Sequence, residues 1–173
     1  MPSSEGRVLS VNVGRPRPFE FNGRQVRSAS WKSPVVGRVA ARGVNLEGDD
    51  QADRKAHGGV DKAIYAYAIE DLRWWESELG RSLPVAQFGE NLTTEGIDVN
   101  GALVGERWEV GTTLLEVAEP RVPCWRLGVR MDDMASSDAS PRRYVPERIC
   151  ESFPRVRWPP ATRSGWSDVR IRA

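Results

Sequence analysis

The chain has 173 residues, 39% of them hydrophobic, with 25 Lys and Arg against 24 Asp and Glu and a formal net charge of +1. That length and composition fit one ordinary soluble domain with an apolar core, and the even charge excludes a strongly basic nucleic-acid module or an acidic tail as its main identity. No stretch approaches the ~18–20 uninterrupted apolar residues of a membrane span, and Met1 to Glu5 carry no apolar signal-peptide core, so a cytoplasmic location without membrane contact is expected.

Arg7 to Val13 reads as a strand, closed by Gly14 and Pro16. After a polar stretch, Trp31-Lys32-Ser33-Pro34 leads into Val35, Val36, Val39 and Val44, punctuated by Gly37 and Gly43, which predicts short β-branched pieces with turns. Ile64 to Tyr67 is a strand. From Ile69 to Leu79 apolar residues recur at helical spacing, Glu70 and Asp71 sit in the first turn and Gly80 follows as a stop, so one helix is predicted there. Arg107 to Val110 and Thr113 to Ala118 are strands around Gly111-Thr112. With several short strands, one helix and no βαβ rhythm, the pattern favours a small barrel or sandwich. The last 42 residues, Asp132 to Ala173, hold eight Arg, five Pro and no Leu, with a period of neither two nor 3.6. Poor packing is expected of them.

Two cysteines, Cys124 and Cys150, make no disulfide framework, and a single histidine, His57, cannot supply a multi-His metal site. His57-Gly58-Gly59-Val60-Asp61-Lys62 precedes the strand from Ile64. A Gly-Gly pair turns backbone N–H groups inward and a following Lys adds positive charge, the ingredients of an anion site; a tight turn with solvated charges and a structural His57 is the competing reading. Glu90 and Asn91 offer donors and acceptors on a short connector suited to a polar heterocycle, against an Asn-stabilised loop. Cys124 follows Pro120-Arg121-Val122-Pro123, where prolines stiffen the backbone and Arg121 favours the thiolate; a buried inert cysteine is the alternative.

In order, Gly48-Asp49-Asp50-Gln51-Ala52-Asp53, His57-Gly58-Gly59-Val60-Asp61-Lys62-Ala63-Ile64-Tyr65, Phe88-Gly89-Glu90-Asn91-Leu92 and Pro120-Arg121-Val122-Pro123-Cys124 resemble the MOSC family, the molybdenum cofactor sulfurase C-terminal domain, in its small stand-alone bacterial branch. The resemblance covers residues 7 to 130. It implies a mainly β, β-rich α+β fold with one or two helices, a β-barrel incomplete at its C-terminal end, with a domain over 1–131 and an atypical tail over 132–173. It also implies the molybdenum cofactor (molybdopterin), with Cys124 as the catalytic residue and ligand to molybdenum, since soft thiolate suits that metal. His57, Gly58, Gly59, Asp61, Lys62, Glu90, Asn91 and Arg121 are then the candidate cofactor contacts. Relatives in this branch are associated with reductive removal of the hydroxyl oxygen from N-hydroxylated bases. Such a reaction takes a small N-hydroxylated substrate, no nucleic-acid polymer, and electrons from a separate reductase, because the chain has neither a four-cysteine cluster motif nor a dinucleotide fingerprint. Two other roles stand beside it: a carrier holding cofactor or persulfide sulfur on Cys124, and a hydrolase pairing Cys124 with His57. The cofactor sulfurases that contain such a domain use pyridoxal phosphate in another domain; no place for its ring beside Lys62 is visible in the sequence.

The match stops after Met131, where the family continues with a strand, a Gly-Asp turn and a closing strand. Regrouping each codon's third base with the next codon's first two lets Arg157 to Ser167 encode Val-Ala-Ala-Gly-Asp-Glu-Val and further valines. The Trp158–Pro159 junction is forced to Ala. A one-base displacement of the reading frame between Met131 and Ser136 accounts for this. It carries the expectation of irregular structure over 136–173, against which ordered strands would count.

Overall fold

The computed structural model describes residues 5–121, 125–131, 153–157 and 170–172. Strand β1 (Glu5–Val13) opens the chain, and a separate hairpin, β2 (Arg17–Phe21) with β3 (Arg24–Ser28), follows it. Three two-residue strands come next, β4 (Ser33–Pro34), β5 (Ala41–Arg42) and β6 (Asn45–Leu46). A single helical turn, α1 (Arg54–His57), and a 3-10 turn (Val60–Lys62) lead into β7 (Ile64–Ala68), helix α2 (Ile69–Leu79) and β8 (Leu92–Glu95). Then follow β9 (Arg107–Val110), β10 (Thr113–Arg121), helix α3 (Trp125–Met131), β11 (Phe153–Arg157) and β12 (Arg170–Arg172).

The large sheet runs in the order β12-β9-β10-β11-β7-β8-β1-β4, and β12 also pairs with β1. The fold is mainly β with helices packed against it, as the sequence predicts. One connection departs from the reading: β7 and β8 are parallel, with Ala66, Tyr67 and Ala68 in register with Leu92, Thr93 and Thr94. Helix α2 is therefore a crossover, and a βαβ unit is present after all. Its second strand is only four residues long, too short to announce itself by alternation.

β7 shows why this unit is central. Its odd and even side chains enter two different cores. Ile64, Ala66 and Ala68 join Leu92, Trp108 and Leu115, while Tyr65 and Tyr67 join Leu72, Trp75, Phe88 and Leu127 from beneath the helices. The period of two thus sorts a strand with no exposed residue onto two buried faces. Helix α2 contributes Ile69, Leu72 and Trp75 to the second core. It stops where Gly80 takes φ 61° and the Arg81 N–H reaches back to the Glu76 carbonyl at 3.2 Å, a left-handed termination that glycine adopts without steric cost. None of the described helices is long and apolar enough to cross a membrane.

The tail differs from expectation where it is described. β11 pairs with β10 from Glu116↔Arg157 to Arg121↔Phe153 and with β7 at Tyr65 and Ile64; β12 lies between β9 and β1. These two strands are the described part of 132–173. Strands of five and three residues are too short to display a period, and main-chain ladders form whatever the side chains. Residues 132–152 and 158–169, with Cys150, lie outside the described residues.

Candidate functional site

A hollow opens where the ends of β3, β7 and β10 meet the 47–53 loop, the 86–91 loop and the first turn of α3. Its floor is an ion pair: the Lys32 ammonium lies on Asp49 Oδ1, with only 8% and 2% of the two side chains exposed. Asp49 is held in place by the Gly14 N–H on Oδ1 at 2.8 Å and the Asn91 amide on Oδ2 at 2.8 Å. Asn91 is fixed in turn. Its Oδ1 accepts the Tyr65 N–H at 3.2 Å, and its Nδ2 also donates to the Asn12 carbonyl at 3.1 Å. Burial pushes the Lys32 amine below its ordinary value, and Asp49 opposes that shift by Coulombic attraction and a hydrogen bond.

Cations stand on the walls. Lys62, Arg121 and Arg126 all line the hollow. The Arg121 guanidinium lies 3.9 Å above the Tyr65 ring and donates to the Phe88 carbonyl at 3.0 Å, so β7 and the 86–91 loop together fix it. Lys62 is 3.7 Å from Glu119 of β10. Arg126 lies 4.7 Å over the ring of Trp125. An aromatic cluster backs this wall: Phe21 stacks on Trp125 at 4.4 Å, and Phe19 meets Trp31 at 4.8 Å edge to face. Hairpin β2–β3 thereby docks on the start of α3.

The hollow brings together three of the residues singled out from the sequence, Lys62, Asn91 and Arg121, with Gly89 beside them. Gly58, Gly59, Asp61 and Glu90 do not line it. Gly58 sits so close to the Arg54 carbonyl that a Cβ would come within 2.4 Å, and Gly59 takes φ 108°, so the pair serves the turn between α1 and β7. Glu90 is fully buried and its carboxylate accepts from the Ala86 N–H at 2.6 Å, the Phe88 N–H at 3.1 Å and the Thr93 hydroxyl at 3.0 Å. It closes the loop in which Ala86 is held at φ 65°. Burial raises the Glu90 pKa above the usual carboxylate value, against the pull of these donors and of Arg130.

His57 ends α1, and its side chain lies outside the described residues, as does Cys124. Cys124 belongs to the three-residue connection between Arg121, the last residue of β10, and Trp125, the first of α3. Both flanking elements supply a cation to the hollow. Among the described residues no group of three or more His, Cys, Asp or Glu side chains is placed to hold a metal ion. Sequence reading missed Lys32, Arg126 and Tyr65. A lysine beside a Trp and before Ser-Pro carries no motif, and only the fold brings it to Asp49.

The profile of the MOSC domain family matches residues 53–166. The chain belongs to the MOSC domain family. This MOSC chain is 38% identical over 120 residues to the uncharacterized protein YflK of Bacillus subtilis, an alignment covering 69% of this chain and 54% of that relative. It is 35% identical over 130 residues to protein YiiM of Escherichia coli, covering 73% and 53%. The crystal structure of YiiM from Geobacillus stearothermophilus superposes with a TM-score of 0.69 at 27% identity, covering 97% of this chain and 75% of that one. The chain spans about half the length of the curated relatives it matches.

Proposed function

We propose that this MOSC protein binds the molybdenum cofactor at the hollow above Lys32 and Asp49 and reduces N-hydroxylated bases or related compounds, with electrons from a separate reductase. The observation that carries the reading is the convergence of Lys32, Lys62, Arg121 and Arg126 on one hollow, with Arg121 and Arg126 on either side of Cys124 in the sequence. This donor set fits the group. A phosphate-bearing pterin needs cations and N–H donors at one end, and a soft thiolate at the metal. Lys62 and Arg121 would hold the anionic end, and Cys124 the molybdenum.

When bound, the cofactor supplies the two-electron chemistry that removes the hydroxyl oxygen. The chain's own residues do the rest. Asp49, itself held by Asn91, fixes the Lys32 ammonium at the floor, where it presents a hydrogen-bond donor and an exchangeable proton to whatever occupies the hollow. Arg121, pinned by Tyr65 and the Phe88 carbonyl, keeps one wall rigid.

The test is elemental analysis of the full chain purified from molybdenum-replete cells, beside Cys124→Ala. Molybdenum is expected in the first and lost from the second, and a hydroxylaminopurine with an artificial reductant should be turned over only by the loaded protein. Metal retained without turnover would favour a carrier of cofactor or sulfur. Absence of molybdenum from the unaltered chain would overturn the reading.

A further inference from the structure

Arg7, Arg54, Arg73 and Arg107 each have a carboxylate oxygen within 4 Å. Arg17, Arg126 and Arg130 have none among the described residues; Arg17 and Arg130 meet at one indole ring, and Arg126 stands one helical turn from Arg130. Arg17 lies 4.5 Å and Arg130 5.8 Å from the centre of the same indole ring, that of Trp31. Arg126 and Arg130 are four residues apart on α3 and so share a helix face. The Arg130 terminal nitrogen is hydrogen-bonded to the Ser30 carbonyl, while the Nε atoms of Arg126 and Arg130 are buried without a partner among the described residues.

Such a cluster is costly without an anion. Burial lowers the Arg130 pKa to about 10; Glu90 counters this, whereas Arg17 and Arg121 both push it further down. The aromatic rings offset part of the repulsion, but they supply no net negative charge. A dianion with several acceptor oxygens meets the deficit, and planar guanidinium groups pair with phosphate oxygens bidentately. Arg126 also lines the hollow, so an anion held here would lie at the rim of the site where chemistry is proposed.

We infer that Arg17, Arg126 and Arg130 form a phosphate-monoester site at the rim of the hollow, and that the phosphate belongs to the substrate, so that N-hydroxylated nucleotides are preferred to free bases. The identity of the substrate rests on the reductase reading; recognition of the phosphate does not. The alternative source of the same chemistry is the phosphate of the cofactor itself.

The experiment titrates the full chain with adenosine 5′-monophosphate, adenosine and inorganic phosphate by calorimetry, and measures molybdenum content in the same preparations. The monophosphate is expected to bind about tenfold or more tightly than adenosine, with the difference shrinking as salt rises. Arg17→Gln and Arg130→Gln should each remove about fivefold or more of that preference, while Arg24→Gln, at the exposed tip of the same hairpin, leaves it unchanged. Arg17 is itself exposed, so its variant reports even if Arg130→Gln fails to fold. Equal binding of nucleotide and nucleoside, or a preference untouched by both variants, overturns the proposal. Loss of molybdenum in the variants with the nucleotide preference intact also overturns it, by assigning the cluster to the cofactor. A preference that the variants abolish in a chain that never holds molybdenum sustains the phosphate site and removes the reductase reading.

Discussion

Lys32 and Asp49 are each withdrawn from water beside an open hollow, so each charge depends on the other. Breaking such a pair by removing one partner leaves the survivor buried and uncompensated, at a cost of roughly 3–5 kcal/mol. Lys32→Met is therefore expected to lose about 3 kcal/mol of unfolding free energy in urea. Lys32→Met with Asp49→Asn should cost less than the sum of the two single changes, by about 2 kcal/mol; simple additivity would show that the pair is not coupled. Glu90 offers a pH readout. Its pKa is raised on folding from the ordinary 4.5, so above that value the native state holds a proton that the unfolded chain has released, and stability falls as pH rises through the window up to the folded pKa. The difference in stability between the unaltered chain and Glu90→Gln should shrink with rising pH across that window, and a difference independent of pH would refute the assignment. At this scale the sequence was only partly informative. Lys62, Asn91 and Arg121 were legible because they sit in recurrent blocks. Lys32 was not, because its partner lies 17 residues away and nothing local marks the encounter.

Among the elements, helix α2 was readable to its last residue, since apolar spacing, first-turn acids and a terminal glycine all agree there. The hairpin β2–β3 was passed over as a polar stretch, although its signal is present. Asn22-Gly23 takes φ 48° and 70°, the two left-handed positions of a tight hairpin turn, between Phe19-Glu20-Phe21 and Arg24-Gln25-Val26. Four arginines and two prolines in Arg15 to Arg27 obscure the alternation. The hairpin is held by ring contacts, Phe21 stacked on Trp125, Phe19 against Trp31 and Trp125, and Arg17 over Trp31. Phe21→Ala should release it, costing about 1–3 kcal/mol from lost burial and stacking. Limited proteolysis should then cut between Arg15 and Arg27 while β7 and α2 stay protected. Because Trp125 begins the helix that carries Arg126, the same variant is expected to weaken anion binding at the hollow. Unchanged proteolysis would show that the hairpin is held by something other than its aromatic face.

For the molecule as a whole, the question is whether residues 132–173 are the segment this fold requires. The sheet has a place for β11 between β10 and β7, two strands whose inward residues Val117 and Ile64 are 2% and 0% exposed. The residues occupying that place are Phe153-Pro154-Arg155-Val156-Arg157. Pro154, in register with Pro120, has no N–H to give to the ladder, and proline is ordinarily confined to edges and bulges. The backbone of 153–157 and 170–172 pairs in register, but the residue types are those of a segment unsuited to an interior strand. We propose that 1–131 is the MOSC domain and 132–173 an atypical tail, and that the displaced frame, with its run of valine and alanine around a Gly-Asp turn, encodes the better filling for the two strands. A chain in which 132–173 is replaced by that translation should unfold at higher urea concentration, with a larger denaturant slope, since more apolar surface would be buried. Sequencing the gene through Met131 to Ser136 provides the independent check. Equal or lower stability of the replaced chain would mean that main-chain pairing alone suffices to seat this arginine-rich segment and that the frame as written is the native one.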